Sequence, residues 1–446
     1  MHTFLKSLSP APGSPRACIL GRILAAFFLA GLGAMVALPA QAGPTIKSIA
    51  SFIGNGSVGS YTNGTEPRNG VILDSSGNIF GTAGYGGDNN RGTVYEVVKG
   101  TNTIKALTSF GGGSPGAYPS GNIAMDGGGN IYGTTESGGK ADLGIIYKLA
   151  SGTSTVTTLA TFDRGKYGAR AGGLVSDGSG NLYGGIYYGG PSDYSAVYEL
   201  LNGSNAVTTL ASFSSIGGIS ALTLDGSGNI FGTTFFGGAL NNRNSYGNGS
   251  IFEITKGSGT VTTLASFNGT NGYTPLGGIT FDGDGNMFGT TQFGGAFNKG
   301  TIFEFVKGGT AITSLASFNT NTSSPEAGVT LDSAGNIFGT TPYGGPSSSG
   351  TVYELVKGGS AITTLASFDG ANGGVPFTKV TLDGSGNLYG TTIRGGTYGG
   401  GTVFGIPGVG ASAPAVPEAS SVISLGLLLG LGGVCLLVRK RTKPAA

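Results

Sequence analysis

The chain contains 446 residues, including 90 glycines, 2 cysteines and 1 histidine, and its formal net charge at pH 7 is +2. The histidine is His2 and the cysteines are Cys18 and Cys435, so the long middle part of the chain excludes a Ser-His-Asp triad, a thiolate nucleophile and metal sites built on Cys or His. Basic residues concentrate at the two ends and leave the middle slightly acidic, which excludes the basic footprint of a nucleic-acid-binding domain.

Residues 1–42 have the features of a secretory signal peptide. Three basic residues come first: Lys6, Arg16 and Arg22. An apolar run from 23 to 38 follows, and it leads into Pro39-Ala40-Gln41-Ala42, a small-residue cleavage site. We predict cleavage between Ala42 and Gly43, and therefore export. The alternative is an uncleaved anchor, although the run is shorter than the roughly 20 apolar residues that span a bilayer.

A ten-residue phrase recurs seven times between the two ends. It reads Asp-x-x-Gly-Asn, then Ile, Leu or Met, then Phe or Tyr, then Gly and usually Thr. Its first residues are Asp74, Asp126, Asp177, Asp225, Asp282, Asp332 and Asp383. A period of about fifty residues is typical of tandem copies of one supersecondary unit.

Each unit contains four strand-like phrases, as the fifth unit shows. Residues 277–281 are rich in β-formers, and the turn Asp282-Gly283-Asp284-Gly285 follows them. The second, third and fourth strands are predicted at 286–291, 301–305 and 311–318. Four antiparallel strands per unit, repeated radially, are typical of a β-propeller, whereas a linear β-solenoid is the competing interpretation.

The ends of the repeat region favour a closed ring. Six units end their fourth strand at a phenylalanine: Phe110, Phe162, Phe213, Phe267, Phe318 and Phe368. The seventh stops after its third strand at 401–406, and the missing fourth strand stands before the first unit at 45–52. We therefore predict an all-β fold, a seven-bladed β-propeller of four-stranded antiparallel blades over 43–408, closed by an N-terminal strand that completes the last blade.

The repeat region resembles the GloVer tandem-repeat proteins. The resemblance rests on the phrase Gly-Asn-Ile-Phe-Gly-Thr-Thr and covers Thr45 to Ile406. It implies a surface-exposed bacterial protein and brings no established activity with it.

The C-terminal segment resembles the PEP-CTERM sorting signal of Gram-negative bacteria. A linker at 409–421 contains Pro417 and Glu418, an uncharged run follows at 422–438, and a basic tail closes the chain at 439–446. The pattern predicts a membrane or sorting helix with a cytoplasmic basic end. The resemblance implies an exosortase-type sorting enzyme as a partner. Because Ala419 replaces the second proline of the motif, a permanent single-pass anchor is the alternative.

Two kinds of binding site are predicted on the loops. The alternating oxygen side chains of Asp282, Asp284 and Asn286 resemble the start of a calcium loop, although an aspartate that caps its own turn explains the same residues. No other cofactor is expected. Aromatic and charged loop residues suit a sugar or peptide ligand, and the candidates are Tyr118, Asp163, Arg164, Lys166, Tyr167, Arg170, Tyr273 and Arg394. The recurring aromatics beside Gly-Gly are expected to wedge blades together: Tyr85, Tyr188, Phe236, Phe293 and Tyr343.

The sequence favours a non-enzymatic role. We expect a secreted, surface-sorted propeller that binds exopolysaccharide or another surface protein, or that is a structural part of the envelope or matrix. It is expected to carry a C-terminal membrane segment before any processing and to bind no nucleic acid. The alternative is a carboxylate-dependent polysaccharide lyase or glycosidase. Its carboxylates would come from the unrepeated acids Glu66, Asp88, Glu136, Asp142, Asp163, Asp193, Asp284, Glu326 and Asp369.

Overall fold

The computed structural model describes residues 44–53, 62–163, 169–188, 194–213, 217–238 and 247–410. All regular secondary structure in these residues is β-strand. Seven four-stranded antiparallel sheets form the blades of one ring, a seven-bladed β-propeller, which confirms the predicted fold class.

The first strand, β1 (Lys47–Ile53), belongs to the last blade, and the blades then follow in chain order. Blade 1 contains β2 (Ile72–Leu73), β3 (Ile79–Ala83), β4 (Thr93–Val97) and β5 (Ile104–Ser109). Blade 2 contains β6 (Ala117–Met125), β7 (Ile131–Ser137), β8 (Ile145–Leu149) and β9 (Val156–Thr161). Blade 3 contains β10 (Ala169–Ser176), β11 (Leu182–Tyr188), β12 (Ala196–Leu200) and β13 (Thr208–Ser212). Blade 4 contains β14 (Ile219–Leu224), β15 (Ile230–Thr234), β16 (Ser250–Ile254) and β17 (Val261–Ser266).

The second half of the ring repeats this order. Blade 5 contains β18 (Thr280–Phe281), β19 (Met287–Thr291), β20 (Thr301–Phe305) and β21 (Ile312–Ser317). Blade 6 contains β23 (Thr330–Leu331), β24 (Ile337–Thr341), β26 (Thr351–Leu355) and β27 (Thr363–Ser367). A small two-stranded sheet at its edge pairs β22 (Thr322–Ser323) with β25 (Tyr343–Gly344). Blade 7 contains β28 (Thr381–Leu382), β29 (Leu388–Thr392) and β30 (Gly399–Ile406).

The predicted strands of the fifth unit are close to the observed ones except at the first. The prediction of 277–281 as a strand is wrong for its first three residues, because β18 contains only Thr280 and Phe281. β18 pairs with β19 only through Thr280 with Phe288 and Phe281 with Met287, so residues 277–279 lie outside the ladder. The third strand agrees with the prediction, and β20 covers Thr301–Phe305.

The ring is closed as the sequence predicts. β1 is antiparallel to β30, and Lys47 pairs with Gly405 while Ser51 pairs with Thr402. The last blade therefore has the sheet order β1-β30-β29-β28, with strands from both ends of the repeat region. Closure leaves no blade with an unpaired third strand, which removes an exposed sheet edge.

Adjacent blades are held by aromatic pairs that the sequence analysis did not identify. The phenylalanine at the end of each outermost strand packs edge-to-face against the third-strand aromatic of the next blade, with ring centroids 5.0 or 5.1 Å apart. The seven pairs are Phe52–Tyr95, Phe110–Tyr147, Phe162–Tyr198, Phe213–Phe252, Phe267–Phe303, Phe318–Tyr353 and Phe368–Phe404. Such pairs add about 0.5–1.5 kcal/mol each beyond the area they bury.

The motif glycine is required by the same aromatic ring. A Cβ added to Gly339 would overlap the hydroxyl of Tyr353, which lies across the middle of the blade. The equivalent glycines of the other six blades face the equivalent Tyr or Phe. The second glycine of the repeated phrase, which follows Phe or Tyr, is therefore a packing residue of the blade rather than a turn residue.

Threonine hydroxyls form hydrogen bonds between neighbouring blades near the ring axis. The first threonine of the motif donates a hydrogen bond to a carbonyl of the next blade, as Thr290 does to Ala327 at 2.7 Å and Thr391 does to Asn69 at 3.0 Å. First-strand threonines do the same, and Thr223 donates to Ile279 at 2.8 Å. The Thr391 bond joins blade 7 to blade 1 and so reinforces the closure.

Candidate functional site

The ring has two faces that differ in their loops. The turn face carries the Asp-x-x-Gly-Asn turns, where Met287 pairs with Phe305. The loop face is the opposite end, where Thr291 pairs with Thr301 and where the long loops and the connections between blades lie. These two names are used below.

The described chain enters and leaves the propeller on the turn face. Lys47, at the start of β1, pairs with Gly405 near the turn end of β30. After β30 the backbone N–H of Gly408 donates to Asn387 Oδ1 at 2.9 Å, and Asn387 closes the turn of blade 7. The loop face therefore lies opposite the point from which the rest of the chain continues.

The predicted calcium residues form an Asx turn on the turn face. Asp282 Oδ1 accepts hydrogen bonds from the backbone N–H groups of Asp284 at 3.0 Å and Asn286 at 2.8 Å. Asp282 Oδ2 accepts from Asn286 Nδ2 at 2.9 Å, and Asn286 Oδ1 accepts from the N–H of Lys307 at 3.1 Å. The same contacts recur in the other blades. Both carboxylate oxygens of Asp282 are thus engaged by the turn itself.

Across the described parts of the chain, no three or more His, Cys, Asp or Glu side chains are grouped so that they could hold a metal ion. The turn aspartates instead act as caps. Burial opposes the ionisation of Asp383, but hydrogen bonds from Asn387, Ser385 and Tyr389 outweigh it and lower the pKa of Asp383. Burial likewise opposes the ionisation of Asp126, but hydrogen bonds from Asn130 and Tyr132 outweigh it and lower the pKa of Asp126.

A cluster of aromatic and charged side chains lies on the loop face where blade 1 meets blade 2. Arg68 forms an ion pair with Glu66, with Nη2 and Oε2 2.7 Å apart. The guanidinium carbon of Arg68 lies 5.6 Å from the ring centroid of Tyr85, and the Tyr85 ring packs edge-to-face against Tyr118 of blade 2 at 5.5 Å. The hydrogen bond to Glu66 is the main cause that raises the pKa of Arg68, and the charge of Glu136 in blade 2 contributes. These five residues are called the Arg68 cluster.

The backbone of this cluster follows a repeated pattern while its side chains do not. Glu66 and Tyr118 have φ values of 53° and 58°, and the residues at the same place in blades 5, 6 and 7 also have positive φ: Thr274, Ser324 and Val375. Each precedes a proline and donates its N–H to a carbonyl of the preceding blade. The strained backbone is therefore structural, and it displays a different side chain on the loop face in each blade.

Other predicted ligand-binding residues lie elsewhere on the same face. Tyr273 of blade 5 stacks on Phe293 with centroids 5.4 Å apart, and its hydroxyl donates to Asn298 Oδ1 at 3.2 Å. Arg394 of blade 7 is exposed, and its backbone pairs with Gly374. Tyr118, Tyr273 and Arg394 thus occupy three separate positions around the ring.

The segment from Asp163 to Arg170 is only partly described. Asp163 is half-buried after β9, and Arg170 lies in β10. Arg164, Lys166 and Tyr167 lie outside the described residues. Their role stays a prediction.

The expected wedge role of the Gly-Gly aromatics is wrong for Tyr343, which is 49% exposed. Tyr85 contacts the next blade through Tyr118 but remains 37% exposed. Phe293 packs on Tyr273 within its own blade, and Phe236 packs on its neighbour Phe235. The buried Phe–Tyr and Phe–Phe pairs take the wedge role instead, because they lie inside the sheets rather than on loops.

Sequence reasoning also missed Arg68 as a site residue. Arg68 is the one basic residue at its position in the seven first-strand phrases, and this exception to the repeat was the available signal. Among the unrepeated acids, Glu66 forms an ion pair with Arg68, and the charge of Glu136 contributes to the raised pKa of Arg68. Glu326 lies at the equivalent first-strand position of blade 6 and accepts a hydrogen bond from Gln292 Nε2 at 3.0 Å, while burial raises its pKa.

Several predicted segments lie outside the described residues. They are the signal peptide with its cleavage site at Ala42 and Gly43, the sorting residues Pro417 and Glu418, the apolar run 422–438 and the basic tail. Within the part of the chain that is described, no helix is long and apolar enough to cross a bilayer.

Comparison with protein families gives one match. The model of the Gloeobacter/Verrucomicrobia repeat matches twice in tandem, at residues 40–244 and 219–413. Together the two matches cover the whole ring. A search of curated proteins finds no match.

Solved structures show similarity of fold. A streptogramin B lyase structure aligns with a TM-score of 0.52 at 16% identity, over 81% of this chain and 96% of that chain. The extracellular domain of a one component system from B. thetaiotaomicron aligns with a TM-score of 0.51 at 10% identity, over 80% of this chain and 39% of that chain. A gluconolactonase from Xanthomonas campestris aligns at 0.40 with 13% identity, over 65% and 85% of the two chains, which is too low to carry an argument. At these identities the similarity extends to the propeller fold alone.

Proposed function

The chain belongs to the Gloeobacter/Verrucomicrobia repeat family, and we propose that it is a secreted, surface-sorted propeller that binds a ligand of the envelope or exopolysaccharide matrix without transforming it. The observation that carries the proposal is that the residues that hold the ring together differ from those that gather on the loop face. Repeated residues inside the blades hold the ring together, whereas the unrepeated Arg68, Glu66 and Tyr118 gather around the recurring aromatic Tyr85 on the loop face.

The Arg68 cluster has the composition of a polar ligand site. Two tyrosine rings offer faces and hydroxyls, and an arginine held by Glu66 offers donors at a fixed place. Arg68 and Glu66 have exposed side-chain fractions of 57% and 38%. A ligand with hydroxyl or carboxylate groups, such as an acidic polysaccharide, can therefore replace part of the water around this pair.

The place where the chain leaves the ring supports exposure of the loop face to a ligand. The chain continues from the turn face after Gly410, toward the predicted linker at 409–421 and the apolar run at 422–438. If the apolar run anchors the chain or delivers it to a sorting enzyme, the turn face lies toward the membrane. The loop face then points outward, to the matrix.

The proposal is tested by binding of purified protein to the host's exopolysaccharide. The double substitution Tyr85→Ala with Tyr118→Ala should reduce affinity at least tenfold, because stacking and orientation of Arg68 are both lost. The matched control is Tyr398→Ala, since Tyr398 is a loop tyrosine that is 59% exposed. Equal affinity of the wild type and the double variant would reject this site.

A second candidate, a carboxylate-dependent lyase or glycosidase, is favoured by one observation. Glu66 and Glu136 are unrepeated acids that both act on Arg68 across the boundary of blades 1 and 2. Paired carboxylates are the catalytic groups of glycosidases. Release of shortened chains by wild type, and its loss in Glu136→Gln, would replace the binding role with this one.

A further inference from the structure

Lys379 breaks the pattern of the repeat at the ring axis. It stands four residues before the motif aspartate of blade 7, and the six equivalent residues of the other blades are small or uncharged: Gly70, Asn122, Gly173, Ala221, Gly278 and Gly328. Because this position is a glycine in most blades, a lysine here is not required by the architecture of a blade.

The side chain of Lys379 crosses from its own blade to a distant one. Its Nζ donates a hydrogen bond to Thr280 Oγ1 of blade 5 at 2.9 Å, so the side chain passes blade 6. The equivalent residues of blades 5 and 6 are Gly278 and Gly328, and a Cβ added to Gly328 would lie 3.0 Å from the carbonyl oxygen of Gly278. The lysine thus lies among the inner edges of β18, β23 and β28, each of which is the end strand of its sheet.

The ammonium group is poorly compensated there. Thr280 already donates its own hydrogen to Val329 at 2.6 Å, and it supplies one acceptor for an ammonium with three donors. In the described parts of the chain, Lys379 forms no ion pair with a carboxylate. Lys379 keeps some exposed surface as a residue, but its ammonium group is buried. This burial lowers the pKa of Lys379 to about 8.

A lysine whose only role was to fill space at the axis would lower stability, because its charge loses hydration there. A Leu or Met side chain would fill the same space without the desolvation of a charge. The amine is explained by a negatively charged partner that takes its free donors.

We propose that the ring axis holds a binding site for a small monovalent anion, such as chloride or a carboxylate of acetate size, with Lys379 and Thr280 as its side-chain ligands. The site is separate from the Arg68 cluster, because it lies on the axis between blades 5 and 7 rather than on the loop face at blades 1 and 2. It therefore stands or falls independently of the proposed polysaccharide binding.

The first test measures the titration of Lys379 in the whole protein. Trace acetylation of amines at pH 6–10, with quantification of peptides by mass spectrometry, gives the titration midpoint of each lysine. An anion that binds the ammonium stabilises its charged form, so sodium chloride or sodium acetate should raise the midpoint of Lys379 saturably, by about one to three units. Lys256, a lysine next to a turn, reports the non-specific effect of ionic strength in the same sample.

The second test uses Lys379→Met, with Lys256→Met as the control for the change of net charge. Acetate should raise the melting temperature of the wild type and of the control, and this gain should disappear in Lys379→Met. The proposal is overturned if the Lys379 midpoint responds to anions no more than Lys256 does. An equal gain in melting temperature for Lys379→Met and wild type would overturn it as well. The titration on wild type decides the question even if Lys379→Met does not fold.

Discussion

The substitution Tyr353→Phe should make the protein more stable. Tyr353 is completely buried between blades 5 and 6, where its ring packs on Phe318, and its hydroxyl has no hydrogen-bond partner among the described residues. A buried hydroxyl without a partner costs about 1–3 kcal/mol in measured protein variants. Phe252, Phe303 and Phe404 occupy the same position in other blades, so the ring without its hydroxyl fits the site. We expect the free energy of unfolding to rise by about 1–2 kcal/mol.

Equilibrium unfolding in guanidinium chloride measures this change as a shift of the midpoint at constant slope. The control is Tyr132→Phe, since the Tyr132 hydroxyl donates to Asp126 Oδ2 at 2.9 Å. Loss of that bond should lower stability by about 1 kcal/mol, so the same chemical change has opposite signs at the two sites. A clear loss of stability in Tyr353→Phe would show that its hydroxyl is satisfied and would refute the reasoning. Joint replacement of Tyr95, Tyr147, Tyr198 and Tyr353 should give a larger gain, because the four sites belong to different blades.

Three further substitutions test the packing within a blade, the hydrogen bonds between blades and the capped turns. Gly339→Ala should destabilise the protein by about 3 kcal/mol or more in the same unfolding assay, because its Cβ would overlap Tyr353. Thr391→Val should cost about 1 kcal/mol, because it leaves the partly buried carbonyl of Asn69 without this donor. Asp383 has a folded-state pKa below its unfolded value, so its contribution is present above about pH 4 and is lost as the pH falls through the folded pKa. The stability difference between wild type and Asp383→Asn, measured by unfolding at pH 2–7, should therefore shrink below about pH 4.

Each of these changes has a control or a contradicting result. Gly283→Ala should be neutral within about 0.5 kcal/mol, because no atom lies within 4 Å of the added Cβ; equal losses at Gly283 and Gly339 would contradict the packing argument. Thr103→Val removes an exposed hydroxyl and should be nearly silent. For the turns, a difference between Asp383→Asn and wild type that stays constant down to pH 2 would contradict the assigned direction.

The architecture was predictable because repetition carries the information. Seven copies of one phrase gave the number of blades, and the displaced strand at 45–52 gave the closure that β1 and β30 form. The extent of β18 was not predictable, since an inner strand with one pairing partner contains the same β-forming residues as a longer strand. The Phe318–Tyr353 type of pair was missed, because its two members lie in different units and meet only when adjacent blades pack against each other.

The candidate site was much less predictable. Tyr118 was identified from its type and its loop, but its contacts with Tyr85 and Arg68 depend on the boundary between two blades. Lys379 was overlooked, because a lysine in a short β-forming phrase has no special meaning until the axis places it opposite Thr280. The turn aspartates resembled metal ligands in sequence, and only the geometry shows Asp282 engaged by its own backbone.

The measurement that tests the central claim most directly is a glycan array that includes the host's own exopolysaccharide, probed with purified protein and followed by a product assay on every glycan bound. Wild type and the Tyr85→Ala, Tyr118→Ala variant should be compared with and without calcium, so that a metal contribution from Asp282, Asp284 and Asn286 is measured in the same experiment. The account predicts saturable binding that needs the Arg68 cluster and releases no product. Cleavage of a bound glycan, or binding that is unchanged without the two tyrosines, would contradict it.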